Sequence, residues 1–183
     1  ERPYDVNALG MELRLLNRGN FCEMTALFAP QFYDVPELDW LTAQLAQGGT
    51  FLDIGGNIGL YSLTIAHRRQ SDGVAVHTVE PDPELSARMN FNARHNGLQV
   101  QLAPVALSDH EGIATLKIDR RQRSALQDEL IGGDSRLSQR LRWRRVGQLG
   151  GLLDGLLNPR DRRCGTDSGL HGGRVLGVQL VQR

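Results

Sequence analysis

Two acids, Asp53 and Glu80, each close an apolar run, and between them lies Gly55-Gly-Asn-Ile-Gly59. Glycines directly after an apolar run let backbone come close to a ligand at the mouth of a strand, and an acid beside them gives that mouth a charge. A third run leads into Ala106-Leu-Ser-Asp109. In open α/β sheets the carboxyl ends of successive strands are where ligands bind, so the joint placement of these three features points to nucleotide-type chemistry.

Two phosphate-binding patterns can be tested against the glycine stretch. A P-loop ends in Gly-Lys-Ser or Gly-Lys-Thr, whereas Gly59 is followed by Leu60 and Tyr61. A dinucleotide fingerprint needs G-x-G-x-x-G; here the spacing is G-x-N-x-G over Gly55, Asn57 and Gly59, with Asp53 two residues ahead. A carboxylate so placed repels a pyrophosphate and suits a ligand carrying an ammonium group, which favours S-adenosylmethionine. The turn amides and the following helix start could hold a carboxylate or a ribose. Glu80 could accept hydrogen bonds from a ribose diol, and Leu107, Ser108 and Asp109 could frame an adenine. Each feature also has a plainer reading. Gly55 and Gly59 would serve a tight turn, Glu80 a solvated strand end, and Ser108-Asp109 a turn opening a hairpin.

The elements that must position these residues follow from pattern. Pro36 to Gln47 reads as an amphipathic helix, with Pro near its first turn, Leu38, Leu41 and Leu45 at helical spacing, and Gly48-Gly49 after it. Strands are expected at Thr50–Ile54, Val74–Val79, Leu98–Ala103 and Ile113–Ile118, and helices at Leu60–Arg69 and Glu84–His95, the latter closed by Asn96-Gly97. This alternation predicts an α/β fold with a parallel central sheet flanked by helices, joined by right-handed crossovers. Residues 1–35 read as an N-terminal cap, with Met24 to Phe28 expected as strand or loop. Residues 36–119 form the α/β core, and 120–183 an Arg- and Gly-rich region where the alternation stops.

The formal net charge is zero, so no global field drives the chain onto nucleic acid or an anionic surface. Cys22 and Cys164 have no CxxC spacing, which argues against a disulfide framework or a thiolate metal site and fits a reducing, cytoplasmic setting. No apolar run approaches the roughly twenty residues of a membrane span, and Glu1-Arg-Pro-Tyr has no signal pattern, although the chain begins without Met.

Four stretches together resemble the class I S-adenosylmethionine-dependent methyltransferases, and among them the FkbM family. They are Phe51-Leu-Asp-Ile-Gly-Gly-Asn-Ile-Gly-Leu-Tyr-Ser62, Val79-Glu-Pro-Asp-Pro83, Asn92-Ala-Arg-His-Asn-Gly-Leu98 and Ala106-Leu-Ser-Asp-His-Glu-Gly112. The resemblance implies a Rossmann-like fold in which Asp53, Gly55, Gly56, Asn57 and Gly59 surround the methionine part of S-adenosylmethionine. Glu80 would bind the ribose, and Leu107, Ser108 and Asp109 would lie by the adenine. It implies methyl transfer to a hydroxyl of a small-molecule, sugar or lipid acceptor. No catalytic base is identified: His110 is conceivable, but a surface histidine in a turn is the simpler account. No metal ligands are expected.

Downstream the chain departs from the family. A Leu-Asp-rich helix is faintly resembled by Val146 to Leu157, and nothing matches the later strand carrying Lys, Asp, Glu and Gly, because Lys117-Ile-Asp119 comes too early. With that strand missing, the first core strand would lack a neighbour on one side. Two further functions stay open at this point. One is a truncated or out-of-frame remnant without catalysis. The other is an RNA methyltransferase using Arg136, Arg140, Arg142, Arg144 and Arg145, a cluster whose surroundings offer Trp143 as the one aromatic for stacking bases.

Overall fold

The structure is a computed structural model that describes residues 2–108 and three later strands, at 112–117, 138–145 and 175–179, with side chains described through Leu107. Strands β1 (Tyr4–Ala8) and β2 (Met11–Leu15) form an antiparallel hairpin, turned by Leu9 and Gly10 at φ 55° and 82°. Met11, Leu13 and Leu15 alternate with exposed Glu12 and Arg14, so one face of β2 is buried. Helix α1 (Phe21–Phe28) follows, where strand or loop was expected from Met24 onward. Its start is fixed by Asn20, whose side chain accepts from the Glu23 amide, the N-capping arrangement that commits a short segment to helix.

Helix α2 (Val35–Gln44) buries Leu38 and Leu41, with Leu45 buried at its C-terminal end, and closes a turn before Gly48. Then come β3 (Gly49–Ile54), α3 (Leu60–Arg68), β4 (Val74–Val79), α4 (Pro83–His95) and β5 (Gln101–Ala103). The last is shorter than the run Leu98–Ala103 predicted. Asp82 caps α4, accepting from the Glu84 amide at 2.8 Å, and Gly97 at φ 64° follows its end.

β3, β4 and β5 are parallel neighbours stepping in one direction, so the right-handed crossovers place α3 and α4 on the same face. α2 packs on α3, and β2 packs on α4. That face holds the main core, in which Leu13 and Leu15 of the hairpin join Phe51, Leu60, Leu63 and Ile65. A second apolar cluster, Leu52, Val79 and Ala103 with Ile54, Val105 and Leu107, lies apart from it.

The other side of β3 is not open. β9 (Val175–Gln179) pairs with it in parallel, Thr50 opposite Val175 and Ile54 opposite Gln179, giving the order β5-β4-β3-β9. The expectation that the first core strand lacks a neighbour is therefore corrected: a distant strand supplies that neighbour, though one without an acid. A third sheet has the order β6-β8-β7, from β6 (Ala106–Ser108), β7 (Gly112–Lys117) and β8 (Ser138–Arg145). β6 and β7 each pair with β8 and not with one another, so Ser108 does not open a hairpin. Arg140, Arg142, Arg144 and Arg145 lie on β8; Arg136 and Val146 to Leu157 lie outside the described residues.

Candidate functional site

β3 delivers Asp53 to its carboxyl end fully buried, and β4 does the same one residue past its own end with Glu80, 5% exposed. Asp53 Oδ2 accepts the Ser62 hydroxyl at 2.6 Å, and the Ser62 hydroxyl is in turn bonded to that of Thr78. Gly59 caps α3 without a side chain. Asp53 reaches the first turn of that helix through the Ser62 hydroxyl. Its other oxygen, Oδ1, is buried with no hydrogen-bond partner. Desolvation pushes the Asp53 carboxyl up to about 6, against the pull of Ser62.

Glu80 is not a solvated strand end. Its Oε2 accepts the Asn57 amide at 2.7 Å and its Oε1 the Asp82 amide at 2.7 Å, so one carboxylate ties the glycine turn to the turn that starts α4. Burial pushes this carboxyl up to about 7, with the two amides opposing and Asp82 and Asp53 adding to the rise.

The glycine turn completes its own hydrogen bonds. The amides of Gly55 and Gly56 both donate to the Val79 carbonyl, at 2.8 and 3.1 Å, and that of Asn57 to Glu80. The Ile58 amide donates to Asn57 Oδ1 at 2.8 Å and the Gly59 amide to the Gly56 carbonyl at 2.7 Å. The expectation that these amides hold a carboxylate or ribose is thus revised: each already has an acceptor within the chain. Two of the glycines are required sterically. A Cβ on Gly56 would stand 2.1 Å from Thr78 Cγ2, and one on Gly59, at φ +84°, would stand 2.4 Å from Met89 Cγ.

Of the residues expected by the adenine, Leu107 packs beside Leu52, Val79 and Ala103, and Ser108 ends β6. Asp109 and His110 lie outside the described residues. Among the described residues no group of three or more His, Cys, Asp or Glu could hold a metal ion, and no helix is long and apolar enough to cross a membrane.

Sequence reasoning missed Asn20 and Glu23. Asn20 Nδ2 donates to Asn57 Oδ1 at 2.8 Å, reaching the glycine turn from the start of α1. Fully buried Glu23 accepts the Leu16 amide at 2.8 Å and pairs with Arg88 of α4. The signal was present, since Asn followed three residues later by Glu is a helix-start pattern. His77, also buried and with neither ring nitrogen bonded, has its pKa lowered by desolvation. It stands in register with Leu52, one residue out of phase with Asp53, and so takes no part in this cluster. A cleft of about 230 Å³ between the hairpin and α4 lies away from the strand mouths, and its charged walls are satisfied by Arg14–Asp5 and His95–Glu12 pairs.

Fold and site together define an α/β domain with buried acids and a closed glycine turn at its strand mouths. No protein-family model and no curated protein matches the chain. Among solved structures it is similar to a hypothetical protein of Thermus thermophilus, at 25% identity and a TM-score of 0.41 over 53% of this chain and 50% of that one. It is also similar to an S-adenosylmethionine-dependent methyltransferase from Agrobacterium tumefaciens, at 18% identity and a TM-score of 0.43 over 57% of this chain and 32% of that one. A third is the Pyrococcus abyssi tRNA (uracil-54, C5)-methyltransferase in complex with S-adenosyl-L-homocysteine, at 13% identity and a TM-score of 0.43 over 56% and 24%. The chain spans half or less of each of these proteins.

Proposed function

We propose that this chain is an S-adenosylmethionine-dependent methyltransferase of the FkbM type, acting on a hydroxyl of a small-molecule, sugar or lipid acceptor. The observation that carries the reading is the pairing of two buried carboxylates with a glycine turn that has no amide left over. Such a mouth offers negative charge and no phosphate cradle, which suits a cationic ligand bearing a diol. The unpartnered Oδ1 of Asp53 fits an ammonium group. Each Glu80 oxygen has spent one lone pair on an amide and keeps one for a ribose hydroxyl. Gly55, Gly56, Asn57 and Gly59 would border the methionine part, and Leu107, Ser108 and Asp109 the adenine.

Bound S-adenosylmethionine supplies a sulfonium methyl open to in-line displacement. What remains for the chain is to orient the donor and to bring an acceptor oxygen into line as its proton departs. Among the described residues, Asp53, Glu80 and the turn do the orienting.

Calorimetry with S-adenosylhomocysteine tests the reading directly, with ATP as a control. Heat of binding for the first and none for the second at about 1 mM is the expected result. Absence of heat with S-adenosylhomocysteine at that concentration rejects the assignment. Radiolabelled methyl transfer to hydroxyl-bearing sugars, lipids and RNA then separates the acceptor classes, label in RNA alone overturning the small-molecule reading.

A further inference from the structure

We propose that Asn20 is a positioning residue for the glycine turn, latching the start of α1 to Asn57 so that ligand affinity at the turn depends on a side chain in the N-terminal segment. The inference rests on the reading of that turn as the cofactor site. Asn57 is held at φ 54°, a left-handed conformation that asparagine tolerates but does not prefer. Three bonds keep it there: its amide to Glu80, its Oδ1 from the Ile58 amide, and the same Oδ1 from Asn20 Nδ2.

The orientation of both side-chain amides is dictated by groups that can only donate. The Ile58 amide N–H fixes which end of Asn57 is oxygen, and the Glu23 amide N–H does the same for Asn20. Asn20 therefore divides its labour, its oxygen capping α1 and its nitrogen holding the turn. Both residues are 5% exposed, so the bond between them is shielded from competing water. With its oxygen held from two sides, Asn57 must direct its own Nδ2 away from α1, fixing how the turn presents that donor.

Because the two roles sit on different atoms, they can be separated. Asn20→Ser keeps a hydroxyl that caps α1 and removes the donor to Asn57. Asn20→Asp keeps a strong cap and sets a carboxylate against Asn57 Oδ1. The readouts are the thermal midpoint, hydrogen exchange at the Ile58 amide, and S-adenosylhomocysteine affinity by calorimetry. Asn20→Ser should lower the midpoint by only about 2–4 °C while weakening affinity and speeding Ile58 exchange by about five- to tenfold each, the loss of one buried hydrogen bond. Asn20→Asp should weaken affinity further and lower the midpoint, because its carboxylate is buried against Asn57 Oδ1. A residue that only caps would leave affinity and Ile58 exchange at parental values in both variants, and that result overturns the proposal. If the parent chain itself gives no heat, the cofactor reading fails on its own. The latch is then judged by exchange alone, and parental Ile58 exchange in Asn20→Ser refutes it.

Discussion

Gly56 is not in the left-handed region, so its missing side chain answers to a neighbour rather than to its backbone. That neighbour is the Thr78 methyl, 2.1 Å from where a Cβ would sit. Gly56→Ala should cost about 1–3 kcal/mol in urea unfolding, the usual penalty for overpacking. Thr78→Ser removes the methyl and keeps the hydroxyl bonded to Ser62, so the double variant should recover more than half of the loss. Strictly additive costs in that cycle would show that the pressure comes instead from Asp53 or Met89, both 3.3 Å away.

Asp53 and Glu80 also give the molecule a pH dependence of definite sign. Both carboxyls are raised by burial, from 3.8 to about 6 and from 4.5 to about 7. The folded state therefore holds these protons more tightly than the unfolded chain. Their contribution to stability is full below the unfolded values and is lost as pH rises through the folded ones, with a slope of up to about 1.4 kcal/mol per unit for each group. Asp5 and Asp72 are lowered by Arg14 and Arg69 and run the other way, but they are solvent-screened and count for little. Buried His77, lowered by desolvation, also runs the other way and gains stability as pH rises toward its unfolded value. The contribution of Asp53 and Glu80 to the urea midpoint should thus fall between about pH 4 and 7 and level off above, and Asp53→Asn should flatten that part of the curve. Affinity for a cationic ligand should rise between about pH 5 and 8, as the two acids ionise in the folded chain; an affinity that falls with pH would contradict the charge argument.

At the scale of elements, α1 and α4 are joined by the Glu23–Arg88 pair, with Glu23 fully buried. Arg88→Met strands a carboxylate in the core with the Leu16 amide still bonded to it, and should cost about 3–5 kcal/mol. Glu23→Leu combined with Arg88→Met should cost much less, which chemical denaturation of the three variants would show. The elements legible in the sequence are those with local, periodic signals. The expected strand Val74–Val79 matches β4 to the residue, and the expected α3 and α4 agree to within one at one end. α1 escapes the pattern because its largest apolar residues do not mark its buried face: Phe21 and Phe28 are 79% and 66% exposed, while Glu23 is buried beside the small Ala26. A hydrophobic pattern signals poorly a helix whose inward face is an ion pair and an alanine. The site is legible as residue types at strand ends, but not its wiring. Which carboxylate oxygen meets which amide depends on how β3 and β4 are placed side by side, and the Asn20–Asn57 bond joins residues 37 apart in sequence.

At the scale of the molecule, β9 turns β3 from an edge into an interior strand. No local pattern announces this, because the pairing joins Thr50 to Val175 across most of the chain and Gly177 interrupts the apolar run of β9. A chain stopped after Gly173 would present the whole length of β3 as an unpaired edge bearing Phe51 and Leu52. It should self-associate, which size-exclusion chromatography with light scattering would detect. A monodisperse product with the parental urea midpoint would show that β9 is dispensable to the sheet.

The closed glycine turn has a last consequence, one of timing. A loop whose amides are already bonded to Val79, Glu80 and Gly56 keeps its shape with nothing in it. The entropy of ordering that segment was spent when the chain folded, so the arriving molecule meets a seat rather than a loop that must assemble around it. Encounter then depends on diffusion and charge. Selectivity is left to the rate at which a wrong molecule departs.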